Sequence, residues 1–332
     1  MKSASAIAFI AALAACNVAF GQLADEALSE HQELLSWAKT LHYQARGEQA
    51  MAVCEMVLDS DPDCVEALIR HGMLALSLDR FETAQEDFSR VLSLDDSHPM
   101  ALVGLAHAQY ALGDTVSAAI GAARAVQHCD GIINAGADDA DTWYVRGLAR
   151  IILKNEGAPA DFAQALELDP THVEARGERA HLQRASGRLQ SAIDELTRAV
   201  EFRPDYAVGY LSRSVAHYDV GNIEAALADC SEALAINPQF GKAWHNRGLL
   251  QMERLDFEAA VRDLTQAIAA RPEEASSYLY RGQANLARGN ADAARADWEK
   301  TRELDPDGWV GDTAEEMLTR LGPAEIGEDS DT

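Results

Sequence analysis

Basic residues are scarce in this chain of 332 residues: 28 Lys plus Arg stand against 54 Asp plus Glu, a formal charge of −26. A surface of that sign repels phosphate backbones, whose binding rests on neutralisation by Lys and Arg, so nucleic acid is excluded as an expected partner. Chemistry-bearing patterns are missing too. No phosphate-cradling glycine loop, nucleophile elbow or dinucleotide fingerprint occurs, and none of the ten histidines has zinc-type spacing with cysteine or acid partners on one helix face. The nearest to a cluster is His128-Cys129-Asp130. No catalytic, cofactor or metal residue is therefore expected. Aromatics make up only 6%, whereas alanine supplies 61 residues, a balance that favours helices packed closely through small side chains. With 48% apolar and 25% charged residues the composition is that of a chain that folds in water.

The amino terminus reads as an address. Lys2 is followed by an almost wholly apolar run over 4–16, too short for a membrane span but suited to a secretory signal core. Two exits are legible: Ala19-Phe20-Gly21 places small residues where signal peptidase needs them, giving a leader of 1–21, and Leu13-Ala14-Ala15-Cys16 resembles the bacterial lipoprotein box, in which Cys16 would carry lipid. Either implies export, to the periplasm or beyond, with an outer-membrane anchor on the second reading. No later stretch is long and apolar enough to span a bilayer. Of the remaining cysteines, Cys54 and Cys230 occupy an apolar repeat position and read as small buried hydrophobes. Cys64 and Cys129 are expected in connectors two repeats apart, too far to bridge.

The body is one unit copied eight times. Shifting the chain against itself by 34 residues aligns Ala50, Ala84 and Ala118, then, after a six-residue stretch in spacing, Ala158, Ala192, Ala226, Ala260 and Ala294. At this alanine content such a column has a random probability on the order of one in a million. Twelve residues earlier (eleven in the fourth copy) stands a small residue: Ala38, Gly72, Ala106, Gly147, Ala180, Ser214, Gly248 and Gly282. Twelve later stands Pro62, Pro170, Pro204, Pro238, Pro272 or Pro306, replaced by Asp96 and Asp130 in copies two and three. Each unit reads as two helices joined by a turn, with the small residue and the alanine facing each other across the hairpin.

In this respect the chain resembles the tetratricopeptide repeat over 31–308, best in copy seven with Trp244, Gly248, Ala260, Leu264, Ala267 and Pro272. The resemblance implies an all-α solenoid, a right-handed superhelix of about eight hairpins. Three repeats would fill 22–130, an insertion 131–138, five repeats 139–308, a capping helix 309–322 and a disordered acidic tail 323–332. The usual tyrosine column is replaced by Leu41, Ala75, Gln109, Arg150, Gln183, His217, Gln251 and Asn285. The position before the small residue is often Arg: 146, 179, 213, 247 and 281, each followed fifteen or sixteen residues on by Asp161, Glu195, Asp229, Asp263 or Asp297. These are predicted ion pairs joining helices.

The family further implies that residues of the first helices line a concave face that contacts protein ligands. The matching positions hold Ile69, Val103, Tyr144, Leu211 and His245; Met73, His107, Leu148, His181, Val215 and Leu249; and Tyr110, Tyr218 and Met252. The groove is apolar and aromatic, without the Lys and Asn pattern that clamps a terminal carboxylate. The same residues also suit packing between neighbouring first helices. The expected function is that of a non-enzymatic scaffold holding a peptide or protein segment, with a lipid-anchored envelope assembly factor, recruiting cell-wall or secretion components, as the alternative. Cofactors are not expected, and oligomeric state is left open.

Overall fold

The computed structural model describes residues 20–136 and 139–322, in which seventeen helices and no strand occur. Sixteen helices form eight hairpins: α1 (Phe20–Tyr43) with α2 (Gly47–Ser60), α3 (Val65–Ser77) with α4 (Phe81–Leu94), α5 (Pro99–Ala111) with α6 (Thr115–Asn134), and α7 (Ala140–Ile152) with α8 (Ala158–Leu168). Then follow α9 (Val173–Ala185) with α10 (Leu189–Phe202), α11 (Ala207–Asp219) with α12 (Ile223–Ile236), α13 (Gly241–Glu253) with α14 (Phe257–Ala270), and α15 (Ala275–Ala287) with α16 (Ala291–Leu304). A final helix, α17 (Trp309–Leu321), packs on α16 and α15 through Val310 and Ala314. The expected leader, with Cys16, lies outside the described residues except for Phe20 and Gly21, and so does the acidic tail. No helix of the described residues is long and apolar enough to cross a membrane.

Each hairpin turns at one backbone position. Ala45, Asp79, Gly113, Lys154, Gly187, Gly221, Leu255 and Gly289 all have φ between 53° and 89°. This left-handed conformation is free for glycine and costs other residues about 1–2 kcal/mol. Second helices then start on side-chain caps where the sequence offers them: Asp114, Asn222, Asp256 and Asn290 each accept the N–H three residues on.

All eight column alanines are buried, none more than 2% exposed. The small residue, however, does not chiefly face the alanine. A Cβ added at Gly72, Gly147, Gly248 or Gly282 would lie 2.8, 2.6, 2.8 or 2.5 Å from the side chain of Phe88, Phe162, Leu264 or Trp298, the residue four beyond each alanine. Where that partner is smaller, Cys54, Ala122 or Cys230, the first helix carries Ala38, Ala106 or Ser214 instead. Ser214 Oγ lies 3.0 Å from Cys230 Sγ. The hairpin contact is thus filled at roughly constant volume, and Ala180 opposite Leu196 is the exception. The offset arises because Cα–Cβ bonds lean toward a helix's N-terminus, so a residue covers the turn before its own.

All five predicted ion pairs form, at 2.7 Å for Arg146–Asp161, 2.5 Å for Arg179–Glu195, 2.7 Å for Arg213–Asp229, 2.8 Å for Arg247–Asp263 and 2.6 Å for Arg281–Asp297. The arginines do more than close their own hairpin. Arg146 also binds Asp130 at 2.6 Å, and Arg213, Arg247 and Arg281 donate to Thr197, Ser231 and Thr265 of the preceding second helix. Trp143, Tyr210, Trp244 and Tyr278, three residues earlier, lie beneath the same guanidiniums. A sixth pair was not foreseen: His71 takes the arginine position of hairpin 2 and meets Asp87 at 2.6 Å. Burial works against a charge on His71, but its bonds to Asp87 and Glu55 outweigh burial and raise its pKa.

The six extra residues between copies three and four extend the second helix: α6 has 20 residues where other second helices have 11 to 14. Cys129 therefore sits inside α6, fully buried, and not in a connector. Its thiol is pushed up to about 11 by burial, and Asp130 is held by Arg146, so His128-Cys129-Asp130 does not act as one cluster. Cys54 and Cys230 are buried as expected, and all four described cysteines are free thiols.

Candidate binding groove

First helices of successive hairpins touch one another, α1 with α3, α3 with α5, α5 with α7, α9 with α11 and α13 with α15, and no comparable packing links successive second helices. The stack therefore curls toward the first helices, which form its inner face. The curl is tight enough that the chain meets itself. Tyr43, at the end of α1, is only 2% exposed; it packs with Val173 and Ala199, stands edge-on to Tyr206, and lies under Arg203. Its hydroxyl donates to Glu174. Two residues further on, Asn237 Nδ2 donates to Ala45 O at 3.0 Å and Arg46 donates to Ile236 O at 3.2 Å. The turn of hairpin 1 is thus seated on the connectors that follow α10 and α12.

The closure fills the middle of the inner face with the chain's own side chains. Tyr144 is buried against His172 and Phe162. His172 lies 3.2 Å from both Asp141 and Glu174. Burial opposes a charge on His172, yet these two acids raise it to about 9. Burial would likewise raise Glu174, but bonds from His172 and Tyr43 hold it at about 2. The Glu178 carboxyl is pushed up by burial beside Tyr144 and Tyr206.

Toward the C-terminal end the face is open. A cavity of about 280 Å³ lies between hairpins 6, 7 and 8, lined by Leu211 and Val215 of α11, Lys242, His245 and Asn246 of α13, Arg271 after α14, and Glu274 and Ser277. His245 lies 2.9 Å from Ser277 Oγ and edge-on to Tyr280. Burial lowers its pKa and keeps the ring neutral. Lys242 at the rim is exposed and has no ion-pair partner among the described residues. The cavity accepts an apolar side chain and offers polar groups at its edge.

The sequence-derived groove residues fall into three groups. Leu211, Val215 and His245 come together in this cavity. Val103 and Tyr144 are buried, and Ile69, Met73 and Leu148 are half-buried in the packing between hairpins. His107, Tyr110, His181 and Tyr218 are exposed, while Leu249 and Met252 are half-buried. Tyr110 and Tyr218 share a register but belong to hairpins 3 and 6, and the structure does not bring them together. Lys242, Arg271, Glu274 and Ser277 were missed because three of them stand at or just before helix starts, where the repeat pattern names no ligand position.

Similarity to known proteins agrees with this architecture. The family model for the ETO1 C-terminal domain matches residues 66–253, more than half of the chain, and a tetratricopeptide repeat model matches residues 245–308. No curated protein matches in sequence. Among solved structures, one described as an APC/C hetero-tetramer Cut9-Hcn1 is similar with a TM-score of 0.63 and 13% identity, over 87% of this chain and 55% of that one. A MamA protein is similar over 50% of this chain and 92% of its own, at 21% identity and a TM-score of 0.46. At 13% identity the first of these likenesses is one of fold. Eight helical hairpins with a buried alanine column, matched by these family models, place the chain in the tetratricopeptide-repeat family, in which it carries the ETO1 C-terminal domain signature across more than half its length.

Proposed function

We propose that the protein is a non-enzymatic scaffold that holds an extended segment of another protein along the inner face of hairpins 6 to 8. Repeats of this family generally mediate protein–protein interaction. The observation that carries the reading is the asymmetry of the inner face: its middle is occupied by Tyr43, Tyr144, Glu174 and Tyr206, whereas Leu211, Val215 and His245 surround open space beside exposed Tyr218. An apolar side chain of the partner fits between Leu211 and Val215, and Lys242 offers its ammonium to a carbonyl or carboxylate beside it. Each apolar anchor contributes about 1.5–3 kcal/mol on burial before association costs, so two or three suffice for modest affinity. The apolar run over 4–16 supports export, and Cys16 supports a lipid-anchored variant that recruits envelope components.

The test is a photo-crosslinker placed at Lys242, used to capture partners from cells of the native organism, in wild type and in a Val215→Asp, Tyr218→Ala variant. Loss of crosslinked partners from the variant supports the reading. An unchanged partner set refutes groove binding, and the mass of the mature amino terminus separates the soluble from the lipid-bearing form.

A further inference from the structure

The connectors between hairpins are copies of one turn, in which the fourth residue's N–H returns to the first residue's carbonyl: Cys64 to Asp61, His98 to Asp95, His172 to Asp169, Tyr206 to Arg203, Phe240 to Asn237 and Glu274 to Arg271. In two of these the side chains at both ends are spent on the turn itself. Asp95 accepts from Ser97 N and Oγ while His98 Nδ1 caps α5 through Ala101 N. Asp169 accepts from Thr171 N and Oγ1 while His172 Nδ1 caps α9 through Ala175 N.

The first connector departs from this. Asp61 accepts one long bond, from Asp63 N at 3.3 Å, and Cys64, at the N-cap position of α3, makes no side-chain cap. Into this place α1 delivers His31, whose Nε2 lies 2.9 Å from Ser60 Oγ. Ser60 is already satisfied by donating to Val57 O. One imidazole nitrogen, one carboxylate oxygen and one sulfur, from His31, Asp61 and Cys64, all lie within 4.8 Å of one another.

We propose that His31, Asp61 and Cys64 form a site for one divalent transition-metal ion of the zinc class. Imidazole, thiolate and carboxylate together suit zinc or cobalt, whereas calcium and magnesium take oxygen ligands. Bond lengths near 2.0–2.3 Å put tetrahedral ligands roughly 3.5 Å apart, so side-chain rotation of about an ångström closes the set. Three protein ligands leave the fourth position for water. On binding, Cys64 releases its proton and its thiolate, with the Asp61 carboxylate, balances the ion's two charges. The ion would bind α1 to the start of hairpin 2. No spacing rule finds this set, because His31 lies some thirty residues before its partners, on another helix.

The test is titration of the metal-free full chain with Co²⁺ and Zn²⁺. The expected result is one ion per chain, with a thiolate-to-cobalt charge-transfer band that Cys64→Ser abolishes, and affinity at least about tenfold weaker in His31→Ala. In wild type, Zn²⁺ is expected to slow alkylation of Cys64, the one described cysteine that is not fully buried. This readout needs no variant and stands if Cys64→Ser misfolds. A cobalt spectrum without the sulfur band, variants that bind as tightly as wild type, or alkylation indifferent to Zn²⁺ overturns the proposal.

Discussion

Phe88 shows how the repeat sets its own packing limits. Its ring is completely buried between α3 and α5, and a Cβ added at Gly104 would lie 2.3 Å from its Cζ and 2.5 and 2.6 Å from the flanking ring carbons. Carbon atoms prefer about 3.5–4.0 Å, so the overlap exceeds an ångström, and a ring enclosed by α3, α4 and α5 has no free side to turn toward. Gly104→Ala gains about 1 kcal/mol of helix propensity and costs about 1–3 kcal/mol in overpacking, a net loss of up to about 2 kcal/mol. Gly131, inside α6, provides the contrast: a Cβ there meets nothing within 4 Å, so Gly131→Ala is expected to stabilise by about 1 kcal/mol. Urea denaturation followed by far-ultraviolet circular dichroism, on both variants, on Phe88→Leu and on Gly104→Ala with Phe88→Leu, measures the difference in sign and the coupling. The double variant should lose less than the sum of its parts, by about 0.5–3 kcal/mol. If Gly104→Ala stabilises as Gly131→Ala does, or if the cycle is additive, the steric account of the packing around Phe88 is wrong.

Leu255 holds φ at 61° and is 73% exposed, so Leu255→Gly is expected to stabilise by about 0.5–1 kcal/mol, read as a higher urea midpoint, since it removes left-handed strain and no packing. An unchanged or lower midpoint counts against strain at the turn. Removing the Arg281 charge strands Asp297, which is 5% exposed; Arg281→Met should cost about 3–5 kcal/mol in thermal or urea unfolding, and adding Asp297→Leu should recover most of it. The docking of hairpin 1 on hairpin 5 carries its own pH window. His172, raised to about 9 from an ordinary 6.5 or so, stabilises fully below about pH 6.5 and loses this as pH rises through 9. Glu174, held at about 2, stabilises fully above about pH 4.3 and loses this as pH falls toward 2. The stability difference between wild type and Glu174→Gln should therefore be greatest between about pH 4.3 and 6.5, and a flat difference from acid to alkaline pH would refute the assignment.

The part of the fold legible in the sequence was the part that repeats. Antiparallel helices pair at positions whose numbers sum to a constant, so Arg213 and Asp229, or Arg281 and Asp297, could be matched by counting alone. The same counting placed Gly72 opposite Ala84, whereas the contact is with Phe88, because side-chain direction shifts the meeting point by one turn. The groove was less legible. Tyr144 and Leu211 occupy one register of the repeat, yet Tyr144 is buried against Phe162 and His172 and Leu211 lines open space.

Periodicity alone determined that this chain is a stack of helical hairpins and that arginines would bind acids fifteen or sixteen residues on. Only the tertiary structure decided that hairpin 1 closes on hairpins 5 and 6, that the inner face stays open at one end, and that His31 reaches Asp61 and Cys64. The reason is one of scale. Seam contacts depend on local geometry that each repeat spells out again, whereas closure depends on a small rotation per hairpin, added over five hairpins, that no single residue pair encodes.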